Sequence, residues 1–333
     1  MLRRLLKAGL NRAGLNPRRL FQRVKTPPIS LPIATPVIYD QWPIHGFRYI
    51  VIGTTSICNA SCVHCPTNKA ITRHLAKAHM PWDLFVKLID GIRDTGLPVG
   101  GQLCFGLFAE SLLDPLVVER ARYVKEQLPK VPLMINSNGG PATRELAVEL
   151  EPYVDSVAFH VEAVTPSIYD ELMFPLKAEK VFPRIEEFIR WFGKPVSIAC
   201  PVSTKNLTEM PALREYWMTR GVHSVAPHPF SGRCSDDLPY LEYSLAPGRG
   251  DCHEEVAHDL IVDSDGTVLL CCNDFQRAEP IGDLKRETVP ELIRNEARKA
   301  VHDRLKLGER KKYSTCSNCK IDCVHTLKKL VPY

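Results

Sequence analysis

The run Cys58-Asn59-Ala60-Ser61-Cys62-Val63-His64-Cys65-Pro66 decides how this chain is read. It follows an apolar segment, Tyr49-Ile50-Val51-Ile52-Gly53, whose pattern predicts a buried strand. Three cysteines at C-x3-C-x2-C spacing can turn three thiolates toward one point, as iron–sulfur clusters require. The loop offers no fourth ligand, so one iron of a four-iron cube would stay open to a small molecule. Two other readings compete. A structural zinc site could use two of these cysteines with His64, but such sites close a four-ligand shell, usually from two paired sets. Disulfides need an oxidising compartment, and the basic N-terminus lacks the continuous apolar core of a signal peptide. The strand before the run and the proline after it favour the cluster.

Around this loop, 333 residues suffice for one barrel-sized core, or for one domain and a smaller appendage. No stretch approaches the roughly 18 apolar residues of a membrane span. Twelve cysteines without an export signal point to metal or redox chemistry in a cytoplasmic protein. They are clustered: Cys58, Cys62 and Cys65 form one group, and Cys252, Cys271, Cys316, Cys319 and Cys323 a second, with Cys272 beside it. The formal charge of +5 is uneven, because residues 1–39 hold eight Arg or Lys and no acid. The remaining body is close to neutral, and nothing in it suggests a nucleic-acid groove. In the basic arm Leu2, Leu5, Leu6, Leu10 and Ala13 alternate with Arg3, Arg4, Lys7 and Arg12. That spacing suits a helix lying on an anionic membrane surface or another polyanion, and equally a solvated terminal helix. Pro27, Pro28, Pro32 and Pro36 then read as an extended linker.

From about residue 45 to 240, short apolar runs alternate with amphipathic stretches. Strands are predicted at 48–53, 102–106, 132–136, 155–160, 196–200 and 222–226. Helices are predicted at 82–93, 117–127, 144–151, 166–173, 181–192 and 210–220. Six β-then-α units imply parallel strands with right-handed crossovers. Chemistry in such barrels gathers at the C-terminal strand ends.

Residues at those ends carry a resemblance. The second strand runs Cys104-Phe105-Gly106-Leu107-Phe108-Ala109-Glu110-Ser111-Leu112-Leu113-Asp114-Pro115, the third ends at Asn136-Ser137-Asn138-Gly139, and the fourth at His160-Val161-Glu162-Ala163-Val164-Thr165-Pro166. Together with the cysteine loop, these resemble the radical S-adenosylmethionine (SAM) superfamily. The resemblance implies an α/β fold, a partial (β/α)6 TIM-like barrel. Cys58, Cys62 and Cys65 would hold a [4Fe-4S] cluster whose open iron is chelated by SAM. Glu110 matches the Gly-Glu-Pro segment that binds the SAM ammonium, with Ala109 and Ser111 in place of its glycine and proline and Gly106 a cofactor-binding candidate just before it, and Asn138 matches an asparagine near the ribose and methionyl part. His160 and Glu162 would face SAM or the substrate.

Farther on, Cys252 is followed by Gly266, Cys271 and Cys272, with Asp259 to Leu270 alternating into a hairpin around an Asp-Gly turn. Cys316-x2-Cys319 and Cys323 complete the set. This resembles the SPASM and Twitch extensions of radical SAM enzymes, which bind auxiliary iron–sulfur clusters. It implies one auxiliary [4Fe-4S] cluster on Cys252, Cys271, Cys316 and Cys319, in a small cysteine-rich β-hairpin and helix domain. Zinc is the alternative for such a C-x2-C pair. Cys272 and Cys323 are either spare thiols or alternative ligands. The expected organisation is residues 1–44 as arm and linker, 45–240 as barrel and 250–333 as auxiliary domain.

By resemblance, one electron from the reduced cluster splits SAM, and the resulting 5′-deoxyadenosyl radical takes hydrogen from an unactivated C–H bond. An electron donor such as flavodoxin or ferredoxin is implied. An auxiliary cluster can accept a second electron, giving dehydrogenation of a small sugar or cyclitol. A thiol that returns hydrogen instead gives epimerisation, and Cys234, on the rim past the sixth strand, is the donor candidate. The alternative is a maturase modifying side chains of a ribosomal peptide or protein partner.

Overall fold

The computed structural model describes residues 41–235, 238–324 and 326, so the basic arm lies outside the described residues. Six parallel strands succeed one another: β1 (Ile50–Ile52), β2 (Leu103–Phe105), β3 (Leu133–Ser137), β4 (Ser156–His160), β5 (Val196–Val202) and β6 (Ser224–Pro229). The chain between them forms α1 (Trp82–Thr95), α2 (Val117–Gln127), α3 (Arg144–Leu150), α4 (Pro166–Leu172), α5 (Ala178–Trp191) and α6 (Met210–Met218). Each expected element is present, with ends shifted by a few residues.

Period and burial explain both layers. Helix α1 buries Leu84, Phe85, Leu88, Ile89 and Ile92, one stripe of a helical surface, and stops at Gly96 with φ of 62°. Helix α5 packs Val181, Phe182, Ile185 and Phe188 onto the sheet in the same way. In β5, Val196, Ile198 and Cys200 are buried while Ser197 and Ala199 are only partly so. The branched face meets the helices and the small face lines the interior, as strand alternation requires. Cys200 is therefore core.

The sheet does not close. Its order is β6-β5-β4-β3-β2-β1-β7-β8-β9, where β7 (Leu260–Val262), β8 (Thr267–Leu269) and β9 (Pro280–Asp283) come from the C-terminal part. The expected hairpin is β7–β8, antiparallel, closed by the Gly266 N–H donating to Asp263 O at 2.9 Å. Strand β7 also pairs in parallel with β1, Ile50 against Leu260 and Ile52 against Val262. An open barrel leaves the β1 edge unpaired, and a fully apolar strand covers it. Two arginines secure this join. Arg48 grips Asp259 with Nε at 2.8 Å and Nη2 at 2.5 Å. Buried Arg298, from α7 (Glu296–Lys306), donates to the carbonyls of Ala257 and Asp259, both at 2.7 Å. The auxiliary cysteines thus ride on an extension of the barrel sheet.

Candidate functional site

A cavity of about 330 Å³ opens at the C-terminal ends of β1 to β4. Cys58, Cys62 and Cys65 form part of its wall. Their loop is shaped by Asn68, at φ 65°, whose amide donates to the carbonyls of Cys58 at 3.0 Å and Ala60 at 2.7 Å. The Ser61 and Val63 N–H groups donate to Phe174 O and Leu172 O, pinning the loop to the end of α4 and the residues just after it. The Ala60 N–H approaches Cys58 Sγ at 3.4 Å.

This donor set fits a cationic cluster. Burial pushes the Cys58 thiol up to about 12 and raises Cys62 strongly as well. Desolvated thiols of this kind ionise when a metal supplies the compensating charge. His64 is directed elsewhere: its Nδ1 lies 2.7 Å from Glu162 Oε1, a close contact out of hydrogen-bond alignment. The Cys-Cys-His zinc alternative loses its histidine to that contact. Among the described residues, no three His, Cys, Asp or Glu side chains meet closely enough to hold a single ion.

Glu110 and Asn138 tie three loops together. Glu110 is 1% exposed, and its oxygens accept from the Leu112 N–H at 2.9 Å and the Asn138 N–H at 2.6 Å. Burial raises its carboxyl to about 7 against the pull of those donors. The Asn138 amide donates to Asn59 Oδ1 at 2.8 Å and lies 3.9 Å from Cys58 Sγ, while its Oδ1 accepts from the Gly140 N–H. Gly106 sits beside them at φ +131°, where a Cβ would stand 2.7 Å from Asn136 Cβ. Only glycine suits that backbone. All three residues line the cavity.

The remaining wall brings in His160, Cys104, Arg233 and Cys272. His160 packs edge-on against His228, with ring centroids 6.1 Å apart. Burial lowers the two imidazoles to about 3 and about 4, so both are neutral near pH 7. The Arg233 guanidinium donates to Asn273 Oδ1 at 2.9 Å. Glu162, expected to face SAM or substrate, is fully buried off the cavity wall behind His64. Its strand has ended, so the alternation that turns His160 inward no longer applies two residues on. The sequence leaves Cys272 as either a spare thiol or an alternative ligand, and the structure places it on the cavity wall.

Of the cysteines expected to hold the auxiliary cluster, Cys252 and Cys319 flank Gly250, and Cys271 follows β8. A Cβ on Gly250 would stand 2.9 Å from Cys319 Sγ and 4.0 Å from Cys252 Sγ, so a glycine leaves room for those two sulfurs. The Asn273 N–H approaches Cys271 Sγ at 3.4 Å, the same two-residue spacing as Ala60 and Cys58. Burial pushes the Cys316 thiol up to about 11 and raises Cys252. These desolvated sulfurs also suit a cluster. Cys234, expected at the substrate rim, is 6% exposed and off the cavity wall. Cys323 is exposed.

A family model described as the radical SAM superfamily matches residues 52–201, and one for an iron–sulfur cluster-binding domain, SPASM, matches residues 252–320. Among solved structures, the fold is similar to BtrN in complex with AdoMet and 2-DOIA, at 18% identity over 82% of this chain and 92% of that one, TM-score 0.58. It is similar to Streptococcus suis SuiB bound to precursor peptide SuiA, at 12% identity over 83% and 70%, TM-score 0.62. It is also similar to native anSMEcpe with bound AdoMet, at 14% identity over 80% and 87%, TM-score 0.58. At these identities the likeness is one of fold. No curated protein matches the chain.

Proposed function

The chain belongs to the radical SAM superfamily and carries a C-terminal SPASM domain, and on that premise we propose that it dehydrogenates a small sugar- or cyclitol-type alcohol. Its cofactors are a SAM-binding [4Fe-4S] cluster, SAM itself and an auxiliary iron–sulfur cluster. When bound, the first cluster and SAM supply abstraction of a hydrogen atom from a C–H bond. Oxidation of an alcohol to a ketone removes that hydrogen atom from carbon, a proton from oxygen and one further electron.

The protein's own residues can serve the last two removals. One observation carries the reading: Cys272 stands on the cavity wall, next in the chain to Cys271, which we assign to the auxiliary cluster. The electron therefore has an outlet one peptide bond away from the cavity. His160, neutral near pH 7 because burial holds it at about 3, accepts and orients the hydrogen bond of the reacting hydroxyl, whose proton then passes to water rather than staying on this weak base. Gln102, Asn136 and Arg233, on the same wall, offer hydrogen bonds to the remaining hydroxyls of a polyol. A flavodoxin- or ferredoxin-type donor would deliver the initiating electron. The bound ligand of BtrN, 2-DOIA, is a small molecule, which agrees with this substrate class.

Replacing Cys316 and Cys319 together by alanine tests the electron outlet. Substrate-dependent SAM cleavage should persist while ketone formation falls at least tenfold, a loss of about 1.4 kcal/mol or more. Ketone formed at the wild-type rate by a variant shown to lack the auxiliary iron would refute the proposal.

A further inference from the structure

Arg233 reaches the cavity wall from the loop after β6. That loop is held on both sides of the arginine. Phe230 O accepts from the Asp322 N–H at 2.9 Å, Ser231 forms an antiparallel bridge with Ile321, and the Gly232 N–H donates to Lys320 O at 2.8 Å. The Arg233 N–H donates to Ser231 Oγ at 3.1 Å, and the Gln276 side chain donates to Cys234 O at 3.2 Å. Between these anchors Arg233 and Cys234 take φ of 51° and 53°, a left-handed pair that non-glycine residues adopt at a cost in backbone energy. Strain of this kind persists where the surrounding contacts over-determine it, and it gathers at ligand sites. Here it brings a guanidinium to the wall and leaves Cys234 off it.

The charge of that guanidinium is not answered by the protein around it. Arg233 Nη1 donates to Asn273 Oδ1 at 2.9 Å, and the guanidinium carbon lies 5.9 Å from the centre of the Phe275 ring. Both partners are uncharged. Nearby Arg277, over the ring of Phe108, is paired with Asp263 at 2.6 Å. Among the described residues, no carboxylate pairs with Arg233 in this way. The wall's one carboxylate among them is Glu110, whose oxygens already accept from the Leu112 and Asn138 N–H groups. An arginine so placed has donors to spare in a planar fork, and its strongest hydrogen bonds go to carboxylate or phosphate oxygens.

We infer that Arg233 binds an anionic group of the substrate, so that the alcohol oxidised here is a sugar or cyclitol bearing a carboxylate or a phosphate. This rests on the cavity taking a small polyol, and it adds a charge requirement to that reading. A neutral polyol would cover the guanidinium without supplying a counter-charge, at a cost in affinity. Asn273 and Phe275 hold the guanidinium on one side and leave its remaining N–H groups for the anion.

The test titrates the reconstituted full chain, with SAM bound, by anaerobic calorimetry. Two pairs of probes are used: glucose with glucuronate, and myo-inositol with myo-inositol monophosphate. The anionic member of at least one pair should bind about tenfold tighter than its neutral partner, and which pair responds tells carboxylate from phosphate. Arg233→Gln should erase that preference while iron content and SAM affinity stay as in the unaltered protein. Arg233→Lys, which keeps the charge without the fork, should retain part of it. Equal affinity for both members of each pair in the unaltered protein overturns the inference and leaves the polyol reading standing. A preference kept in full by Arg233→Gln also overturns it. So does a loss of SAM affinity in that variant, because Arg233 would then hold the SAM carboxylate. Binding of synthetic peptides with no polyol of either charge bound overturns the polyol reading itself, and the inference with it.

Discussion

Replacing Cys58, Cys62 and Cys65 together by alanine will lower the iron of the anaerobically reconstituted protein from about eight to about four per chain, and will abolish SAM cleavage. The three sulfurs share one cavity wall and two of them are strongly desolvated, so the variant removes every ligand that this loop supplies. His64 is turned toward Glu162. The remaining iron should sit at the C-terminal cysteines, whose pairing is carried by the β7–β9 extension rather than by this loop. Iron and sulfide analysis with metal quantification checks both halves. Tight zinc without iron at the C-terminal group would contradict the auxiliary cluster.

Glu110→Ala should weaken SAM binding at least tenfold and destabilise the fold. The substitution leaves the Leu112 and Asn138 N–H groups buried without their acceptor, at about 1–3 kcal/mol for each unsatisfied group. Asn138 would then lose the restraint that sets its amide against Asn59 and Cys58. Glu110→Gln keeps one acceptor oxygen and should fall between. The pH dependence has a definite sign. The native carboxyl titrates at about 7 against 4.5 unperturbed, so between those values the native state holds more protons than the unfolded one. Stability from this group is full below about pH 4.5 and declines as pH rises through about 7. Glu110→Gln should flatten that slope in chemical denaturation. A glutamate that bound the SAM ammonium directly would instead show unchanged stability in the glutamine variant together with lost SAM affinity.

Much of this architecture could be read from local pattern. The apolar run 49–53, the alternation in 196–200 and the Asp-Gly turn at 265–266 each act over a few residues, and each forms the element that its period specifies. The C-x3-C-x2-C loop is legible in the same way, and its three cysteines line one cavity wall. What escaped the sequence depends on contacts between distant segments. The pairing of Ile50–Ile52 with Leu260–Val262 spans most of the chain and leaves no periodic signal. Cys234 sits on the auxiliary side because residues 230–232 pair with 320–322 and a left-handed turn follows. Position along the chain suggested a rim thiol. Glu162 was misplaced by extending the inward face of β4 two residues past its end. Glu110 stands in the expected place, but the structure occupies both its oxygens with backbone donors, which no motif discloses.

The most direct measurement of the proposed chemistry is the fate of deuterium. A panel of sugars and cyclitols deuterated at the carbinol carbons is supplied with SAM to the reduced, anaerobic protein. The products are resolved by mass spectrometry, with synthetic peptides run alongside. Dehydrogenation predicts that one substrate deuterium appears in 5′-deoxyadenosine and that one ketone forms for each SAM consumed. A product with an inverted carbon bearing solvent hydrogen, or deuterium transfer from peptides alone, would contradict it.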